Sequence, residues 1–139
     1  MVAFDWGIVE TLLGLGVVPA GIAEGDGYRE WVREPAPPPG IPDLGLRVEP
    51  NLEAVARLKP DLIVITPQLA SFEPMLARIA PTLSLAIFDE EGDVWIRARQ
   101  VALTLAAATW REDAGVRLLA DADAVLAAVR PKVEPLAAR

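Results

Sequence analysis

Asp43-Leu-Gly-Leu-Arg-Val-Glu-Pro-Asn-Leu-Glu-Ala-Val-Ala-Arg-Leu-Lys-Pro-Asp-Leu-Ile-Val-Ile-Thr66 places a loop, a capped helix and a buried strand in direct succession, and this order decides the fold. Asn51 is a favourable N-cap, and Glu53 sets a carboxylate in the first turn, where the helix dipole favours it. Leu52, Val55, Ala56 and Leu58 supply one apolar face, and Lys59-Pro60 ends the helix. Residues 61–66 are rich in aliphatic and β-branched side chains, as in a parallel strand covered on both faces. The segment that follows, residues 66–71, falls where open α/β sheets place ligand-contacting loops. Arg47 stands on the loop ahead of the helix. On residue grounds it reads either as half of a surface ion pair, with Glu49 or another acid, or as a donor to an electron-rich ligand.

Working outward, residues 1–4 form a short apolar strand, and Ile8, Leu12, Leu13 and Leu15 follow at helical spacing until Gly16 supplies a left-handed stop. Residues 17–23 read as a second strand, confined to an edge by Pro19. Gly25-Asp-Gly27 reads as a turn and residues 28–33 as one or two helical turns. Pro35, Pro37, Pro38, Pro39 and Pro42 make the next segment an extended surface crossing. Ser71 is the expected cap of a helix through Met75, Leu76 and Ile79, and residues 83–88 form a further strand. Asp89-Glu-Glu-Gly-Asp93 lacks the spacing of a calcium loop and reads as a solvated turn, with Asp93 capping the next helix. From there the chain is helical, with a break near residues 109–113 and bends at Pro131 and Pro135. The predicted class is α/β: a single open, mostly parallel sheet flanked by helices, with a long C-terminal helix.

Composition narrows function. The chain has 139 residues, 53% of them hydrophobic, enough for one domain with a real core. A formal net charge of -7 disfavours nucleic acid and anionic lipid surfaces. With no cysteine and no histidine, thiol nucleophiles, disulfides, zinc clusters and the commonest neutral-pH proton carrier are excluded. Neither a glycine-rich phosphate loop nor a nucleophile elbow is present, so no enzyme is expected. Asp121 and Asp123, with arginines nearby, read as a wet helix face. The first residues lack the charged and apolar regions of a secretory signal, so no signal peptide is expected in this chain.

Five segments carry a family resemblance: Phe4-Asp-Trp-Gly-Ile-Val-Glu-Thr-Leu-Leu-Gly-Leu-Gly-Val-Val-Pro19, Tyr28-Arg-Glu-Trp-Val32, Gly45-Leu-Arg-Val-Glu-Pro-Asn-Leu-Glu53, Leu58-Lys-Pro-Asp-Leu62 and Met75-Leu-Ala-Arg-Ile-Ala-Pro81. In order and spacing the chain resembles the N-terminal lobe of the iron-hydroxamate siderophore-binding proteins, within the helical-backbone class of substrate-binding proteins that serve ABC importers. The resemblance implies two α/β lobes joined by one long helix, with ligand in a cleft between them. It divides this chain into residues 1–110 as the N-terminal lobe and 111–139 as the interlobe helix and tail, the second lobe being absent. It also implies a periplasmic or lipid-anchored extracytoplasmic location for the full-length family.

The same resemblance proposes the site. Arg47 matches the arginine that donates to iron-bound hydroxamate oxygens, and Trp31 and Trp6 match aromatics that line the cleft. Leu69 stands where family members often have a tyrosine, with Thr66 and Gln68 offering polar contacts nearby. Glu73 and Glu53 are the expected permease contacts. Partners are then a ferric siderophore and an ABC importer permease. No cofactor or protein-bound metal is expected, because the chelator holds the iron. The alternatives are a solitary lobe acting as an assembly module, as a homodimer through its exposed cleft face, or a binder of cobalamin or haem.

Overall fold

A computed structural model describes residues 1–88 and 92–137; Asp89, Glu90 and Glu91 of the expected acidic turn lie outside the described residues. Three parallel strands, β1 (Val2–Ala3), β2 (Ile63–Ile65) and β3 (Thr82–Ser84), form a sheet in the order β1-β2-β3, with Val2 opposite Ile63 and Ile63 opposite Thr82. Two single-residue parallel bridges widen it beyond β1, Ala3 with Ile22 and Ile22 with Asp43. The expected strand at 17–23 therefore shrinks to one bridge at Ile22. Pro19 has no N–H to give a ladder, so pairing begins only beyond it.

All three β2 residues are buried, and their alternation divides the core in two. Ala3, Ile22 and Val64 face Ile8, Val9, Leu12, Tyr28, Val101 and Leu105, whereas Val2, Phe4, Ile63 and Ile65 face Leu44, Val55, Leu69 and Leu76. β1 and β2 are thus covered on both sides, as a parallel sheet requires, whereas β3 is half-buried with Ser84 exposed.

Helix α1 (Trp6–Gly14) starts at Asp5, whose Oδ1 accepts from the amides of Gly7 at 2.8 Å and Ile8 at 3.2 Å. It ends as the sequence indicates. Gly16 adopts φ +77°, Val17 N donates to Leu12 O at 2.9 Å and Gly16 N to Leu13 O at 3.0 Å, the paired bonds of a Schellman stop. Helix α2 (Gly25–Trp31) includes the Gly25-Asp-Gly27 segment expected to be a turn. Its first amide is met from a distance in sequence, by Asp43 Oδ2 at 3.0 Å. Helix α3 (Leu52–Arg57) is capped by Asn51, whose Oδ1 accepts from Ala54 N at 3.0 Å. After β2 a 3-10 turn (Pro67–Phe72) runs into the short α4 (Glu73–Leu76), so Ser71 lies inside the turn and caps nothing.

Helix α5 (Val94–Ala108) is capped by Asp93 Oδ1, which accepts from Trp95 N at 2.8 Å and Ile96 N at 3.3 Å. The predicted break follows, with Trp110 in the left-handed region at φ +57°. Helix α6 (Glu112–Ala137) then runs to the end of the described chain and contains Pro131 and Pro135. It packs through Gly115 and Leu119, and from residue 123 onward every described position is exposed. Asp123 is bound by Arg99 Nη1 at 2.8 Å, the wet helix face expected there. No helix among the described residues is long and apolar enough to cross a membrane.

Candidate functional site

Four adjacent parallel segments end on the same side of the sheet, and the residues just past their C-terminal ends enclose one cavity. From β1 come Phe4 and Asp5, from the Ile22 bridge Glu24, from the Asp43 bridge Leu46, Arg47 and Val48, and from β2 Thr66 and Gln68. The cavity measures about 430 Å³, within the range of small-ligand sites. A smaller one of about 90 Å³ adjoins it, sharing Asp5, Thr66 and Gln68 and adding Ala86, Ile87 and Phe88.

The loop carrying Arg47 is fixed before its side chain is. Asp43 Oδ1 accepts from Gly45 N at 2.7 Å, Leu44 N donates to Ile22 O at 2.9 Å and Asn51 N to Leu44 O at 2.8 Å. Gly45 has φ +92°, and a Cβ there would lie 2.9 Å from Asn51 N, so the loop requires glycine for both conformation and space.

Glu24 then holds Arg47. One oxygen, Oε2, accepts from the Arg47 backbone amide at 2.8 Å and from its Nε at 3.1 Å. The opposite constraint is aromatic: the Arg47 guanidinium carbon lies 3.7 Å from the Trp6 ring centroid. Trp6 is itself anchored, donating from Nε1 to Ala23 O at 3.2 Å and meeting Tyr28 edge-on at 6.4 Å between centroids. The bond from the Arg47 amide, with help from its guanidinium, holds the Glu24 carboxyl below the usual range. Arg47 thus pairs with Glu24 rather than Glu49.

Arg47, Thr66 and Gln68 line the cavity together, with Trp6 beneath Arg47. Trp31 does not line it. It lies on α2, 75% exposed and one helical turn from Gly27, against which Trp6 packs. Leu69 is corrected: it is 1% exposed in the core with Phe4, Ile65 and Leu76, drawn inward by the 3-10 turn, and presents no surface to a ligand. Glu53 is exposed in the first turn of α3 and Glu73 half-buried at the start of α4, both away from the cavity lining. Sequence reasoning missed Glu24 and Asp5 as cavity residues. Asp5 was legible as a helix cap, whereas nothing local marks Glu24, whose partner is 23 positions away.

Among the described residues no group of three or more metal-binding side chains forms. What the arrangement offers is an oriented guanidinium, hydroxyl and amide groups from Thr66 and Gln68, and apolar surface from Leu46 and Val48.

The sheet thus has a cavity at its strand ends and a long helix leading away from it. The chain belongs to the periplasmic binding protein family, whose model matches residues 1–138. It is 48% identical over 81 residues to the iron(3+)-hydroxamate-binding protein FhuD of Escherichia coli (strain K12), covering 58% of this chain and 27% of that protein. The structure of the Fe3+–Desferal-bound siderophore-binding protein FhuD from Vibrio cholerae superposes with a TM-score of 0.88 at 32% identity, over 96% of this chain and 50% of that one. The periplasmic catecholate-siderophore-binding protein VctP, also from Vibrio cholerae, superposes with a TM-score of 0.77 at 25% identity, over 96% and 47%. The chain therefore spans half or less of each of these proteins. All three are binding proteins, not enzymes.

Proposed function

We propose that this chain is the ligand-binding lobe of an extracytoplasmic component of an ABC importer, and that its ligand is a ferric siderophore of the hydroxamate type. The observation that carries this reading is Arg47, stacked on Trp6 and held through its Nε by Glu24. In that pose the two terminal nitrogens make no hydrogen bond among the described residues, and they offer two parallel donors to chelate oxygens. A chelator that encloses its own iron asks nothing of the protein as a metal ligand, which suits a cavity without histidine or cysteine. Likeness to a hydroxamate-binding relative supports the ligand class. Glu73 and Glu53, at the first turns of α4 and α3, are the proposed contacts to permease arginines.

Tryptophan fluorescence titration with ferric desferrioxamine tests the reading. Saturable quenching is expected, weak because a ligand here is covered from one side, with a dissociation constant on the order of micromolar or higher. Quenching that does not saturate, or that is the same in Arg47→Ala, rejects it.

A further inference from the structure

Glu24 is placed with unusual care for a surface carboxylate. Its backbone is left-handed, at φ 50° and ψ 50°, and its amide donates to Gly45 O at 3.0 Å. It occupies the N-cap position of α2 without capping it; Asp43 meets the Gly25 amide instead, which releases the Glu24 side chain toward Arg47. The contact engages Nε rather than the guanidinium tip. Arg47 is the only cation among the described residues lining the cavity, and Asp5 adds a second carboxylate. Two carboxylates against one guanidinium give a donor-bearing cavity without positive charge.

We propose that Glu24 is the specificity-determining residue of this site, fixing the orientation of Arg47 while cancelling its charge, so that the cavity takes uncharged or cationic metal chelates and turns away polyanionic ones. The assignment rests on the chelate-binding reading above. A ferric tris-hydroxamate core is neutral, since its ligand charges balance the iron; a ferric tris-catecholate is a trianion. The trianion would face two carboxylates with only a compensated guanidinium in its favour, in a chain already carrying a net charge of -7. The neutral chelate needs only the oriented donors and the apolar flank of Leu46 and Val48. Selectivity among siderophores is therefore assigned to charge balance beside the arginine rather than to the arginine itself.

The test compares ferric desferrioxamine with a synthetic ferric tris-catecholate in the 139-residue chain. Glu24→Gln keeps side-chain length and an oxygen acceptor but deletes the charge, and is expected to shift the affinity ratio toward the catecholate by about tenfold. Glu24→Asp keeps the charge and tolerates the left-handed backbone, so it should retain the wild-type preference. Unmodified protein gives an independent arm that does not depend on a variant folding. Added salt should strengthen binding of the trianion by screening repulsion and slightly weaken that of ferric desferrioxamine, whose terminal ammonium makes it a monocation. Measurable binding with an unchanged ratio in Glu24→Gln and no salt effect overturns the role of Glu24 and leaves the binding reading standing. Failure of the wild-type chain to bind either chelate at millimolar concentration overturns both.

Discussion

The guanidinium carbon of Arg47 lies over the indole of Trp6, 3.7 Å from the ring centroid, so that the cation is oriented by a side chain from a different strand end. Stacking of this kind depends on a planar, delocalised cation. Arg47→Lys keeps the charge but loses both the plane and the Nε donor to Glu24. It should weaken ferric desferrioxamine binding by about tenfold with little change in thermal stability, read by fluorescence titration beside a melting curve. Equal affinity would show that charge alone matters at this position.

The two aromatics assigned to binding should separate by stability. Trp31 is 75% exposed, and Trp31→Ala should change unfolding free energy by less than about 0.5 kcal/mol. Trp6 has a buried hydrogen-bond partner and an edge contact with Tyr28, so Trp6→Ala should cost about 2 kcal/mol of stability as well as affinity. Urea denaturation distinguishes them, and a large stability loss for Trp31→Ala would contradict its placement.

Gly45 is the strictest backbone position in the site. An alanine would be forced against Asn51 N and Glu49 O, at 2.9 and 3.1 Å from its Cβ, in a conformation unsuited to L residues. Gly45→Ala should destabilise by about 2 kcal/mol and displace Arg47 from Trp6. The displacement would appear as a shift in Trp6 emission in a variant that keeps Trp6 as its only tryptophan. An unshifted spectrum would show that the loop tolerates the methyl group.

Tyr28 is the single tyrosine, so its ionisation can be followed without overlap. Burial, and then the charges of Glu10 and Glu34, push its phenol from an ordinary value of 10 up to about 12. The folded protein thus keeps a proton that the unfolded chain has lost. Its contribution to stability is fully present below pH 10 and is lost as pH rises toward 12. Ultraviolet titration should show tyrosinate appearing only near the upper end of that window, accompanied by a falling melting temperature. Ionisation near pH 10 in the folded state would place Tyr28 in contact with solvent.

Legibility in the sequence followed the range of the interactions. The Asn51 cap, the Gly16 stop and the Asp93 cap rest on neighbours within a few positions and are readable, and β2 is readable from its own run of aliphatic side chains although its cover is long-range. Gly25-Asp-Gly27 was misread as a turn because the group that satisfies the Gly25 amide is Asp43, supplied by another sheet segment. Thr66, Gln68 and Arg47, read from a strand end and a loop arginine that are visible locally, all line the cavity. Leu69 was misplaced because a 3-10 turn, rather than an ordinary loop, rotates it into the core. Glu24 escaped notice for the reason Asp43 did: its chemistry begins only when the Ile22 and Asp43 segments become neighbours.

The second half of α6 has a different standing from the rest of the molecule. Leu126, Val129 and Val133 point out of a helix whose anchoring ends near Leu119, and beyond Asp123 no described residue is buried. Helical order there draws on local propensity rather than tertiary packing, and two prolines weaken the ladder further. In hydrogen exchange the body of the sheet should open only with global unfolding, whereas the amides past Asp123 should open by fraying, independently of the core. One continuous helix thus holds two thermodynamic regimes, with Asp123 near the boundary.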